Sequence, residues 1–277
     1  MISTATQLKA KVRNLSGGDS KKAQTLIRNY IMERFLERIA LSQYRNNFIL
    51  KGGMLVAAVV GLDTRATMDI DTTVKSLNLT KDNAVRIVED IISIDLDDGV
   101  QFRVTKVTDI MEEHDYPGIR FMLETTLDKM RQTIKIDIST GDIITPRAIE
   151  YSYRLMFEDR AISLWTYNLE TLLAEKLETI MARGTANTRM RDFYDIYVIS
   201  NRENYDREIL KKAFVATSTK RNTTNQIPDF KTILSTVEAD DSMRIQWESF
   251  REDSFFVGEL TWNEVMTSVK VLAEEVL

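Results

Sequence analysis

The sequence predicts an α+β fold, with a mixed sheet and its helices in the first half of the chain and a helical second half. Three extended stretches, about 102–111, 119–126 and 133–139, are rich in β-branched residues and alternate in character. From Asn168 onward the texture changes, and Leu169, Leu172, Leu173, Leu177 and Ile180 recur at helical spacing. The composition, 43% apolar and 29% charged over 277 residues, is that of a soluble globular chain large enough for one big domain or two ordinary ones. The division is expected between a core of residues 1–165, N-terminal helices included, and a helical domain of residues 166–277.

The elements follow in order. Leu26, Ile27, Ile31, Phe35, Leu36 and Ile39 predict a helix over 20–41, with Asp19 or Ser20 as its cap. Phe48-Ile49-Leu50 reads as a short strand, the apolar run from Met54 to Val60 as a helix, and Asp69 to Val74 as a second strand. A helix over about 80–94 is capped by Thr80, and the three extended stretches come next. After the helix that begins near Asn168, further helical patterns run near 192–200, 207–215, 240–250 and 261–276. The polar stretch 217–229, with Asn222, Asn225 and Pro228, reads as a surface loop.

Composition also excludes chemistry. There is no cysteine, so disulfides, thiolate metal sites and cysteine nucleophiles are ruled out, and a single histidine removes every multi-histidine metal site. Carboxylates must do any metal work. His114 itself, beside Asp115, Tyr116 and Pro117, reads as an exposed loop residue. The net charge of −5 argues against bulk electrostatic coating of nucleic acid, although a local basic groove would still serve. Basic residues gather at Lys9, Lys11, Arg13, Lys21, Lys22 and Arg28, and again at Lys211, Lys212, Lys220 and Arg221; both clusters read first as solvated helix faces. No apolar run approaches the roughly 18 residues of a membrane span, and residues 1–11 have no apolar signal core, which predicts a cytoplasmic location.

The chemistry gathers around Lys51-Gly52-Gly53 and Met68-Asp69-Ile70-Asp71. Two glycines after an apolar run let the backbone turn tightly and approach a ligand, and the helix that follows would aim its free N–H groups at phosphate. Asp69 and Asp71, one residue apart on a strand, share a face, and their oxygens suit Mg²⁺ carrying a nucleotide. A third carboxylate is expected from a neighbouring strand, and Asp137, between Ile136 and Ile138, is the candidate that would complete the metal site and accept or orient the proton of an attacking hydroxyl. Lys176 and Arg183 lie on one side of a helix, within reach of a triphosphate, while Asp192 and Asp195 face the same way on the next. Arg191 could pair with Asp195, or Lys176 could be held by Asp192 or Asp195. Lys51, Arg65 and Thr67, which flank the two motifs, complete the candidate nucleotide contacts. Each feature has a plainer reading: a capping aspartate, a salt-bridged helix face, a carboxylate serving the helix dipole.

Taken in order, the run 48–71, Asp137, Ala174-Glu175-Lys176-Leu177-Glu178 and Arg191-Asp192-Phe193-Tyr194-Asp195 resembles the AbiEii/MenT-like nucleotidyltransferases, toxins of bacterial toxin-antitoxin and phage abortive-infection systems. The likeness runs from about Leu8 to Ile199. It implies a DNA-polymerase-β-like nucleotidyltransferase fold with an appended helical domain. It also implies Gly52 and Gly53 at the nucleotide phosphates, Asp69 and Asp71 on Mg²⁺ with Asp137 opposite, Lys176 on the triphosphate, and the 192–195 segment completing the pocket. Where the wider superfamily often has serine after the first glycine, this chain has Gly53, so backbone N–H groups must replace a hydroxyl.

The activity that follows is Mg²⁺-dependent transfer of a nucleotide from an NTP to RNA, with the 3′ end of tRNA foremost, in a growth-arresting toxin opposed by a cognate antitoxin. Two alternatives stand beside it: transfer to a protein or to a small molecule such as an aminoglycoside, and a nucleotide-binding module without catalysis.

Overall fold

The computed structural model describes residues 2–111 and 117–277, so His114 lies outside the described residues. The chain separates into two compact units. The first comprises residues 1–58, 66–142 and 149–166, and the second comprises 59–65, 143–148 and 167–277.

The first unit is built on a seven-stranded mixed sheet. Its strands are β1 (Phe48–Lys51), β2 (Asp69–Val74), β3 (Val100–Met111), β4 (Pro117–Leu127), β5 (Met130–Thr140), β6 (Ile149–Arg154) and β7 (Ala161–Thr166), in the order β3-β4-β5-β2-β1-β7-β6. β3, β4 and β5 form an antiparallel meander; β5 pairs parallel with β2, and β1 runs antiparallel to β2 and parallel to β7. Strand alternation divides the sheet into two faces. Leu50, Ile70, Phe121, Leu123, Ile136 and Ile138 are buried, while Lys51, Asp69, Asp71, Arg120, Lys135 and Asp137 take the alternate positions. Helices α1 (Ala5–Ser16), α2 (Ser20–Leu41), α3 (Gly52–Val60) and α4 (Lys81–Ile92) complete this part of the chain, with α2 against β5 and β7, and α4 against β3. Asp19 and Thr80 cap α2 and α4, each accepting from a backbone N–H three residues on.

Helix α2 departs from a simple amphipathic pattern, because Glu33, Arg34, Glu37 and Arg38 are all buried. Each of these ionisable groups has a partner brought from far along the chain. Arg38 grips Asp98 through two bonds of 2.9 and 3.0 Å, Arg34 reaches Glu158 at 3.0 Å, Glu37 pairs with Arg160, and Glu33 accepts from the Met156 N–H and from Asn29. The helix is thereby tied to the turn joining β6 and β7 and to the start of β3.

The second unit holds α5 (Leu169–Arg183), α6 (Met190–Arg202), α7 (Arg207–Lys220), α8 (Phe230–Ala239), α9 (Asp241–Asp253) and α10 (Trp262–Val276). Asn168 caps α5, and Thr261 with Glu264 forms a capping box on α10. The core of this unit is aromatic: Phe193, Trp247 and Trp262 are buried against one another, with Phe250 beside Trp247.

The structure adds four elements beyond the periodicity: α1, β6, β7 and α8. Strand β6 lies at the edge of the sheet with most of its residues exposed, so no buried face marks it, and β7 is the strand it pairs with. The stretch 217–229, expected as a loop, is partly ordered, since α7 continues to Lys220 and a 3₁₀ segment covers Thr224–Asp229. Among the described residues no helix is long and apolar enough to cross a membrane.

Candidate active site

Four strands place the charged groups of the first unit in register. Lys51 on β1 lies opposite Asp71 on β2, Asp71 opposite Asp137 on β5, and Asp137 opposite Arg120 on β4. Residues opposite one another point to the same face, so the sheet carries a cross-strand row with two adjacent carboxylates at its centre and a cation at each end. Two residues along, Asp69 lies opposite Lys135. The ion pairs follow this register: Arg120 holds both oxygens of Asp137, Nε to Oδ1 and Nη2 to Oδ2, each at 2.8 Å, and Lys135 Nζ is 2.7 Å from Asp69 Oδ2. Lys51 Nζ is 2.6 Å from Asp142 Oδ2, which also accepts from the Ser139 hydroxyl at 2.9 Å.

Asp71 carries the electrostatic load of this arrangement. Its recessed position, then the charge of Asp137, pushes its carboxyl up, against the pull of Lys51. A narrow recess opens here, lined by Lys51, Asp71, Asp137, Ser139, Ile110 and Gly118.

Gly52 begins α3 directly over this row. Its φ of +64° is open to glycine and strained for other residues, and a Cβ there would stand 2.2 Å from Asp71 Oδ2 and 2.8 Å from Asp71 Cβ. The glycine therefore does two things: it makes the left-handed turn into α3, and it leaves space for the Asp71 carboxylate against the backbone. Gly53 is buried in the first turn of the helix.

Within the second unit the expected residues form a cluster of their own. Lys176 Nζ lies 2.8 Å from Asp192 Oδ1 and 2.7 Å from Asp195 Oδ2, and Asp195 also receives Arg65 at 2.5 and 3.2 Å. Asp195, Arg65 and Lys176 are all buried. Burial alone would raise the Asp195 carboxyl, but Arg65 and Lys176 outweigh it and hold the group below its usual value. For Lys176, likewise, burial is outweighed by Asp192 and Asp195, and its ammonium is raised. The guanidinium of Arg65, expected at the nucleotide, is thus paired with Asp195, and Lys176 is held by both Asp192 and Asp195, one of the arrangements expected from their spacing. Thr67 is buried, its hydroxyl near the Asp69 carbonyl at 3.4 Å, and Arg183 is half-buried in the last turn of α5.

Sequence reasoning passed over Arg120, Asp142 and the part played by Lys135. The alternation Ile119-Arg120-Phe121 in β4 marks Arg120 as facing away from the core, but only the register puts it on Asp137.

The profile of a family described as "Nucleotidyl transferase AbiEii toxin, Type IV TA system" matches residues 34–268. The chain belongs to the AbiEii nucleotidyltransferase toxin family. This is the family that the motifs resemble, and it makes the AbiEii chain a nucleotidyltransferase of a type IV toxin-antitoxin system, with a nucleotide as substrate and an antitoxin as partner. Two crystal structures from Helicobacter pylori share its fold. JHP933 has a TM-score of 0.53 at 14% identity, covering 91% of each chain. A nucleotidyltransferase candidate has a TM-score of 0.52 at 16% identity, covering 91% of this chain and 94% of its own. At such identities they speak to the fold alone. No curated protein sequence matches the chain significantly.

Nucleotidyltransferases generally use divalent metal ions, and the residues can be tested against one. Among the described residues no group of three or more acidic or histidine side chains is drawn together as a finished metal site. Asp69 is turned to Lys135 and Asp137 to Arg120. The donor chemistry nevertheless fits a hard divalent cation. The candidate ligands are all oxygen, Asp71 and Asp137 stand opposite each other on paired strands, and the Asp71 carboxyl, raised by burial first and by Asp137 second, is one whose charged form a divalent cation would favour.

Proposed function

We propose that this AbiEii protein is a Mg²⁺-dependent nucleotidyltransferase that moves a nucleoside monophosphate from an NTP to an RNA, the 3′ end of tRNA being the acceptor placed first. The observation that carries this reading is the register Lys51–Asp71–Asp137 beneath Gly52, which combines a backbone turn able to approach phosphate with paired carboxylates. In the reaction an acceptor hydroxyl oxygen forms a bond to the α-phosphorus, the α–β phosphoanhydride bond breaks, and pyrophosphate leaves.

Gly52 and the N–H groups at the start of α3 would meet the phosphates, and Lys51 adds a cation beside them. Asp69, Asp71 and Asp137 would hold the divalent ion, which when bound neutralises phosphate oxygens and lowers the pKa of the attacking hydroxyl. Asp137 is also proposed to take or orient the hydroxyl proton, for which one of its oxygens must be released by Arg120. In the second unit Lys176, fixed by Asp192 and Asp195, is proposed to serve the triphosphate. Arg65 is proposed to act indirectly, by holding Asp195. Growth arrest, relief by the antitoxin and a role in phage defence complete the proposal, which rests on the family.

The test incubates the pure protein with each labelled NTP, Mg²⁺ and total RNA, and then resolves RNA from protein, with Asp71→Asn as the blank. Label in RNA that is lost in the variant and after EDTA supports the proposal. Label in protein or a small molecule would replace the acceptor. Bound NTP with no transfer would reduce the chain to a nucleotide-binding module.

A further inference from the structure

The carboxylates proposed to hold a divalent ion already have cations of the chain upon them. Asp137 gives both oxygens to Arg120, and Asp69 gives one to Lys135. Neither pair is needed to bury charge: the side chain of Arg120 is 39% exposed and that of Lys135 is 27% exposed, so both cations can swing toward solvent without unpacking the core. Pairs so exposed contribute little to folding. What they do locally is larger. Asp69, Asp71, Asp137 and Asp142 gather around Lys51, Lys135 and Arg120, so that four carboxylates face three cations. Releasing Arg120 and Lys135 would leave four against Lys51.

We infer that Arg120 and Lys135 are resident counter-ions of this site, which compete with the divalent cation for Asp137 and Asp69 and, once displaced, become ligands for phosphate. This rests on the proposed function. The competition follows from geometry. A guanidinium 2.8 Å from both oxygens of Asp137 takes the directions along which a small divalent ion would bind at about 2.0–2.1 Å, and its charge repels that ion. The second half follows from chemistry: a planar guanidinium and an ammonium freed beside a metal-bound triphosphate are matched to phosphate oxygens. Those oxygens could belong to the NTP or to the backbone of the acceptor RNA.

The experiment titrates Mn²⁺ into the full chain by calorimetry and electron paramagnetic resonance, comparing wild type with Arg120→Gln and Lys135→Gln, circular dichroism melts confirming that both fold. Each variant should bind Mn²⁺ about two- to fivefold more tightly, the size expected when one half-exposed competing pair is removed. At saturating Mg²⁺ its turnover should nonetheless fall. A raised KM for NTP would assign the phosphate to the nucleotide, and a raised KM for RNA to the acceptor. Wild-type affinity or weaker Mn²⁺ binding in both variants would overturn the competition while leaving the proposed function standing. Unchanged kcat and KM for both substrates would overturn the phosphate role. If wild type binds no Mn²⁺, or Asp71→Asn binds it equally well, the functional reading fails and takes this inference with it.

Discussion

Replacing Gly52 by alanine tests the link between backbone and site most directly, because one methyl group meets two independent obstacles. The first is conformational: at φ +64° an alanine costs about 1–2 kcal/mol, offset by the roughly 0.4–1 kcal/mol that alanine gains by restricting the unfolded chain. The second is steric. The new Cβ would lie 2.2 Å from Asp71 Oδ2 and 2.8 Å from Asp71 Cβ and Cγ, and since Asp71 Cβ is fixed to β2, rotating the carboxylate away relieves only part of the overlap. Overpacking of this kind costs about 1–3 kcal/mol, so Gly52→Ala should destabilise by about 2–4 kcal/mol in all. Gly17 supplies the control, with φ +59° and nothing within 4 Å of an added Cβ, so that Gly17→Ala should cost only the strain, about 1 kcal/mol or less net. Urea denaturation of the two variants measures the difference. Because Asp71 must move, turnover in Gly52→Ala should fall by about 10²-fold, the scale of an ångström-sized misplacement, while Gly17→Ala keeps its activity. Combining Gly52→Ala with Asp71→Ala should shrink the steric part without abolishing it, since Cβ remains. Equal stability of Gly52→Ala and Gly17→Ala, with transfer retained, would refute the argument.

In the helical unit Asp195→Ala leaves Arg65 and Lys176 buried with one fewer carboxylate and should cost about 3–5 kcal/mol in denaturant unfolding, whereas Asp192→Ala, which leaves Lys176 paired with Asp195, should cost much less; equal losses would show that the two aspartates share the load evenly. The Asp195 carboxyl is held below its usual value, so its contribution to stability is present above about pH 4 and should be lost as pH falls through the lowered value; Asp195→Asn should lack this acid-side dependence. Burial pushes the Glu33 carboxyl up to about 8, with the Met156 N–H, Arg34 and Asn29 opposing. A raised acid favours the fold while it is protonated, so its contribution is complete below about 4.5 and fades as pH rises to about 8. The stability of wild type relative to Glu33→Gln, measured in urea, should therefore drop between pH 5 and 8.5, and a constant difference would rule out a protonated Glu33. Lys176→Met should raise the KM for NTP in the labelled-transfer assay; an unchanged KM would remove Lys176 from nucleotide binding.

What the sequence by itself determined is what depends on neighbours in the chain. The cap at Thr80, the choice of Asp19 or Ser20 before the helix 20–41, the strand 69–74 and the one-residue spacing that puts Asp69 and Asp71 on one face all follow from local periodicity and hydrogen bonding. So did the family, because its motifs occur in order along the chain; the family profile, over residues 34–268, starts later than the expected likeness and runs past Ile199 into the C-terminal helices. Tertiary structure decided which of those residues meet. Asp137 faces Asp71 because β5 pairs parallel with β2 in one register, and a shift by a single residue would put isoleucine there instead. That register sets Lys135 on Asp69, and the register of β4 with β5 sets Arg120 on Asp137, so that cations of the chain stand where a metal ion was expected. Arg65 and Asp195 lie 130 positions apart, and no pattern in either segment names the other. Burial made the pairing necessary: two charges out of water must find each other, and where they do so is a property of packing, which spacing along the chain does not encode.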